Sequence, residues 1–167
     1  MPLSLYEVSI PLLIRGLNNL SAVLKKGEQF AAEKKIDPAI LIQARLAPDM
    51  LALPAQVQIA CDTAKGCAAR LAGLTAPSFA DTEASFPELQ ARIAKTIDFL
   101  KSVGADKIDG NEEISVVLKF PSQELKFVGR DYLRSFVLPN FYFHVTTAYA
   151  ILRHQGVALG KRDYMGG

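Results

Sequence analysis

The sequence predicts a mainly α protein, a four-helix bundle with a small β-hairpin inserted before the last helix. Apolar residues recur at steps of three and four in four separate segments, the spacing of one face of a helix. Those segments are bracketed by start signals (Ser-x-x-Glu, Asp-Pro) and by stop glycines. The period changes to alternation in only one place, between Ile114 and Phe127.

Ser4-Leu5-Tyr6-Glu7 has the form of a capping box, so a long helix is expected to begin there, with Val8, Leu12, Leu13, Leu17, Leu20, Val23, Leu24 and Phe30 as its apolar stripe. Pro11 removes one backbone donor and predicts a bend in the first turns. Asp37-Pro38 starts a short helix reaching about Gln43. Ala47-Pro48-Asp49 opens the second core helix, which carries Met50, Leu53, Val57, Ala60, Cys61, Ala64, Ala68 and Leu71, holds Pro54 as an irregularity and stops at Gly73.

Leu74 to Ala84 has no period and reads as a loop. Ser85-Phe86-Pro87-Glu88 caps a third helix with Leu89, Ile93, Ile97, Phe99 and Leu100, closed by Gly104. Ile114–Phe120 and Glu124–Phe127, separated by Pro121-Ser122-Gln123, form a hairpin that must lie against helices, because an isolated hairpin is marginal in water. The fourth helix runs from about Arg130 to His154 and stops at Gly156. Its inward stripe is Leu133, Val137, Asn140, Phe141, His144, Ala148, Ile151 and Leu152, with a kink expected at Pro139.

Half of the 167 residues are hydrophobic and 22% are charged, which suits one domain spanning residues 1–167 with a sizeable core. The net charge of +2 is scattered rather than gathered into a stripe, so nucleic acid is not an expected partner. No apolar window reaches the roughly 18 residues of a membrane helix, and the N-terminus lacks a signal-peptide pattern. A cytoplasmic location is expected. Cys61 and Cys67 are six apart, which fits neither a redox pair nor a zinc knuckle, and they read as packing residues in a reducing compartment.

One of the two histidines, His144, falls on the buried stripe. Asn140 lies one turn before it on the same face, and Asp49 and Gln56, seven apart on the second helix, can meet the pair across the bundle. These four residues define a candidate ligand pocket. An imidazole with oxygen donors suits zinc, nickel or manganese, with His144 and Asp49 as the candidate ligands. The plainer reading is a hydrogen-bonded core histidine. Likewise Phe136, Phe141, Tyr142, Phe143 and Tyr149 read as core before they read as a stacking platform, Tyr149 with Arg153 as a rim contact, and Lys161-Arg162-Asp163 as a solvated cluster. No Gly-rich phosphate loop or Ser/His/Asp arrangement is present, so no catalytic residue is assigned.

The order of two core helices, a third, an excursion and a last helix ending His144…Leu152-Arg153-His154-Gln155-Gly156-Val157 resembles the DinB/YfiT-like metalloenzyme superfamily. Leu138-Pro139-Asn140-Phe141-Tyr142-Phe143-His144, Arg153-His154-Gln155-Gly156, Lys161-Arg162-Asp163-Tyr164 and Arg45-Leu46-Ala47-Pro48-Asp49-Met50 resemble, within it, a bacterial domain-of-unknown-function family, and the likeness spans nearly the whole chain. The resemblance implies a divalent metal held by one histidine of the second helix and a His-x-x-x-His pair of the last, serving thiol-dependent transferases or isomerases. Here His144 matches the second member of that pair, Asn140 stands at the first, and Asp49 is nearest to the missing histidine. The expectation is therefore a bundle of unassigned function, paired as a homodimer through apolar helix faces, with a degenerate polar pocket for a small molecule or a weakly held ion. The alternative is a divalent-metal-dependent enzyme using His144 as ligand.

Overall fold

The computed structural model describes residues 4–167. The reading of Met1, Pro2 and Leu3 as the start of a chain without a leader lies outside the described residues. The elements are α1 (Ile10–Lys34), α2 (Pro38–Ile42), α3 (Leu53–Leu71), α4 (Phe86–Lys101), a 3-10 turn (Ala105–Lys107), β1 (Ser115–Lys119), β2 (Glu124–Val128), α5 (Gly129–Tyr132), a π-helical turn (Leu133–Val137), α6 (Leu138–His154) and α7 (Lys161–Met165). Helices α1, α3, α4 and α6 form the bundle, α3 packing on both α4 and α6, and α1 closing the ring from the other side.

Two helices begin later than their patterns suggest, and for one reason. Proline lacks an N–H and has a fixed φ, so it suits the first turn of a helix and disfavours the interior. Pro11 and Pro54 accordingly sit in the first turns of α1 and α3 rather than inside longer helices. The Ser4 capping box does form, with the Glu7 N–H donating to Ser4 Oγ at 3.2 Å and the Ser4 N–H to Glu7 Oε2 at 3.1 Å, but it caps a separate turn. That turn ends at Ser9, whose φ of −123° and ψ of −79° are not helical.

The stops follow the glycines at two ends. Gly73 and Gly156 take φ of +65° and +96°, and each helix closes with the paired bonds of a Schellman motif, Leu74 N–H to Ala69 O and Val157 N–H to Leu152 O. Gly104, by contrast, has φ −77° and opens the 3-10 turn, so it does not cap α4.

The core is a continuous set of Leu, Ile, Val, Ala and Phe side chains from all four bundle helices. Gly16 permits the closest approach of α1 to α6, since a Cβ there would lie 2.5 Å from Phe141 Cε1. The hairpin pairs Ser115 with Val128 through Lys119 with Glu124, and buries Val116 and Leu118 against the helices while Val117 faces out.

The loop between α3 and α4 is tied down by Arg92. This α4 side chain is fully buried, donates to Ala80 O at 3.0 Å and to Glu83 at 3.0 Å, and pairs with Asp62 and Asp81 at 2.9 Å. The Lys65 ammonium lies 4.2 Å from the centroid of the Phe79 ring and completes the strap. Helix α7 folds back on α1 through Lys26–Asp163 and through Asn19 donating to Tyr164 O at 3.0 Å.

Candidate functional site

The site forms where α3 faces the π turn and α6, with the hairpin over one end. The π turn precedes Pro139, which occupies the first turn of α6. In an α-helix the proline ring collides with the carbonyl four residues back; widening the turn, with Leu138 N–H bonded to Leu133 O five residues away, relieves that clash. The kink expected at Pro139 thus takes the form of a π turn. It leaves Phe136 and Asn140 half-buried on the α3 side, while Val137 and Phe141 stay in the core.

His144 is buried at 9% exposure, and its ring meets Gln56, itself 2% exposed, on α3. The Gln56 Nε2 donates to Leu51 O at 2.9 Å, so its Oε1 must be the atom facing the imidazole. It follows that His144 Nδ1–H donates to Gln56 Oε1 at 2.7 Å, and that Nε2 keeps the lone pair. Burial holds the imidazole pKa below the ordinary 6.5, which favours this neutral ring. Nε2 has no partner among the described residues; it still touches solvent, since Arg92 Nε is the one fully buried side-chain nitrogen or oxygen among them without a hydrogen bond.

Asn140 lies one turn before His144 and uses its amide differently, donating from Nδ2 to Thr63 Oγ1 at 2.7 Å. Two polar pairs, Gln56–His144 and Thr63–Asn140, therefore bridge α3 and α6. Asp49 does not join them. Because α3 starts at Leu53, Asp49 sits exposed in the preceding loop, off the helical face that was to carry it beside Gln56, and makes no hydrogen bond among the described residues.

This arrangement does not fit the divalent metal that the superfamily resemblance implies. Gln56 Oε1 is turned to Nδ1, Asn140 offers only an amide oxygen, and no group of three His, Cys, Asp or Glu side chains converges among the described residues. Cys61 and Cys67 are buried thiols whose pKa values burial raises to about 11 and about 12, so they are packing groups rather than reactive thiolates.

An open cavity of about 300 Å³ adjoins the Thr63–Asn140 pair. Ile59, Leu118, Phe120 and Phe136 supply its apolar lining, with the two phenylalanine ring centroids 6.4 Å apart. Its lining also includes Arg70, Lys119, Asp62 and Tyr132. Phe136 stacks on Tyr132 at 5.9 Å between centroids. Pattern reading of the sequence missed Arg70, Lys119, Thr63 and Tyr132. Arg70 and Thr63 carried a weak signal, as polar side chains on the second core helix, but Lys119 enters only because the hairpin folds over that helix.

The aromatic residues divide in the same way. Phe141 is core at 0% exposure, Phe143 is 57% exposed beside the His144 ring, and Phe136 lines the cavity. Tyr149 packs on Tyr164 at 6.0 Å, a contact at the bundle rim that Arg153 does not share. Of the Lys161-Arg162-Asp163 cluster, Asp163 is engaged by Lys26 and by the Gly160 N–H.

The bundle order and the hairpin before the last helix are those of a DinB-like helical protein. Residues 5–165 match the family described as Domain of unknown function (DUF1993), and the chain belongs to that family. It is also similar to a crystal structure of a DinB family member protein from Shewanella denitrificans, with 41% identity and a TM-score of 0.90 over 98% of this chain and 92% of that one. Comparison with curated proteins gives no match. No helix among the described residues is long and apolar enough to cross a membrane.

Proposed function

We propose that the protein is a small-molecule-binding bundle whose ligand seats on the α3–α6 face, in the cavity beside Asn140. The observation that carries this reading is the convergence of polar side chains on an open apolar cavity while the donors a metal needs are not assembled. His144, held by Gln56, lies one turn of α6 beyond Asn140 and outside the cavity lining. Of the four residues expected to share a pocket, Asn140 lines this cavity together with Thr63, Gln56 and His144 form the neighbouring polar pair, and Asp49 stands apart from both.

The test is a protein-observed NMR screen of uncharged and charged fragments on the full chain, paired with metal analysis of protein purified without a histidine tag. Fragments that perturb the Asn140 and Phe136 resonances support the proposal. Stoichiometric zinc, nickel or manganese, lost in His144→Ala, would overturn it in favour of a metal-dependent enzyme. Pairing of two copies is proposed through the exposed Phe143, Leu46 and Leu51; sedimentation at monomer mass across micromolar concentrations would end that part.

A further inference from the structure

Resting on the reading that this face holds a small ligand, we infer that the ligand is an organic carboxylate with an apolar or aromatic body, its carboxylate seated against the Arg70 guanidinium beside the Tyr132 hydroxyl. Arg70 occupies the last turn of α3, and its guanidinium lies back along the helix because Gly66, one turn earlier, has no Cβ; an added Cβ would collide with Arg70 Nη1. From there Nη1 donates to the Tyr132 hydroxyl at 3.1 Å. That bond occupies a lone pair of the phenol oxygen, and the hydroxyl hydrogen has no acceptor among the described residues. Tyr132 is 1% exposed, and burial pushes its pKa to about 12, so it remains a donor.

Charge on the lining points to an anion. Neither Arg70 nor Lys119 forms an ion pair with a carboxylate among the described residues. Asp62, the single carboxylate on the lining, is engaged by Lys65 and by Arg92, each at 2.9 Å. Two exposed cations beside one already compensated carboxylate give the lining an excess of positive charge, which suits an anion. The guanidinium fork and the adjacent hydroxyl match the two oxygens of a carboxylate, with charge-assisted bonds on one side.

The remaining walls fix the body of the ligand. Phe136 and Phe120 offer two rings tilted at 46° to each other, and Ile59 and Leu118 add aliphatic contact. At about 300 Å³ the cavity stands at the lower end of the range of about 300–1,000 Å³ found for small-molecule sites, which suits an acid the size of benzoate or phenylacetate.

The test is calorimetric titration of the full chain with benzoate, phenylacetate and the neutral isostere benzamide, repeated on Arg70→Met and Tyr132→Phe. Tyr132→Phe removes one hydroxyl without changing the core volume, so it reports on binding even where Arg70→Met lowers stability. Both acids are expected to bind, about tenfold or more weakly in Arg70→Met, more weakly also in Tyr132→Phe, and benzamide about tenfold or more weakly than benzoate. The inference is overturned by benzamide binding as well as benzoate, by benzoate binding the two variants as it binds the natural chain, or by no binding of either acid. If the acids fail while neutral fragments still perturb Asn140 and Phe136, only the charge assignment falls; if neither class binds, the small-ligand reading falls with it.

Discussion

Replacing Gln56 by leucine isolates the bond that orients His144. Gln56 is 2% exposed and bonds at 2.7 Å to Nδ1, so the substitution keeps roughly the same volume but strands the imidazole N–H in a buried setting. Such a stranded donor costs about 1–3 kcal/mol. The other partner, the Leu51 carbonyl, belongs to a residue that is 53% exposed and can be rehydrated, so it adds little. For a chain of this length 1 kcal/mol corresponds to about 2–4 °C in Tm, so Gln56→Leu is expected to lower Tm by about 2–12 °C. Replacing both partners, Gln56→Leu with His144→Leu, removes the stranded group and should recover part of the loss, with a coupling energy of about 0.5–3 kcal/mol. The protein has no tryptophan, so urea unfolding followed by far-UV circular dichroism is the assay. Single-variant losses that add to within about 0.5 kcal/mol, or a Gln56→Leu protein as stable as the parent, would refute the hydrogen-bonded assignment.

Arg92→Leu should destabilise by about 3 kcal/mol or more, because Glu83, 8% exposed at its side chain, is left without its cation, while Asp62 and Asp81 are exposed enough to be hydrated; a melting temperature within a degree or so of the parent would contradict this. Gly16→Ala should cost about 1–3 kcal/mol, since its Cβ would lie 2.5 Å from Phe141 Cε1 and force the α1–α6 contact apart; chemical denaturation reads this directly. Stability should also fall as pH drops, with two contributions. The unfolded chain takes up a proton at the ordinary histidine value of 6.5 whereas folded His144 does so lower, so its contribution, full above pH 6.5, is lost as pH drops through the folded value, and His144→Gln flattens that segment of the curve. Burial opposes ionisation of Glu83, but hydrogen bonds from Gln58 and Arg92 hold its pKa below the ordinary 4.5, so a second loss, unaffected by His144→Gln, follows below that pH.

Periodicity and punctuation carried the architecture because they are local signals. The stripe from Leu133 to Leu152 points His144 inward as its spacing requires, and Gly73 and Gly156 end their helices in the left-handed conformation a Schellman stop needs. The Ser85 box likewise caps α4 through its hydroxyl. What the periodicity misjudged was where α1 and α3 begin: an apolar residue looks the same in a helix as in the turn before it, and Pro11 and Pro54, expected inside the helices, mark their first turns instead. That shift of a few residues removed Asp49 from the site.

By itself the sequence determined four amphipathic helices, a hairpin before the last, and an inward histidine with an asparagine one turn earlier, because each depends on residues within a few positions of one another. Only the tertiary structure decided which polar groups meet. Gln56 reaches His144 across 88 positions of sequence, Asn140 reaches Thr63 across 77, and Arg70 reaches Tyr132 across 62. Such pairings are set by how the bundle helices dock, by the π turn before Pro139 and by the hairpin folding over α3. The bend at Pro139 and the hairpin were legible in the chain, but which distant side chains they bring together was not, because that depends on how separate elements dock.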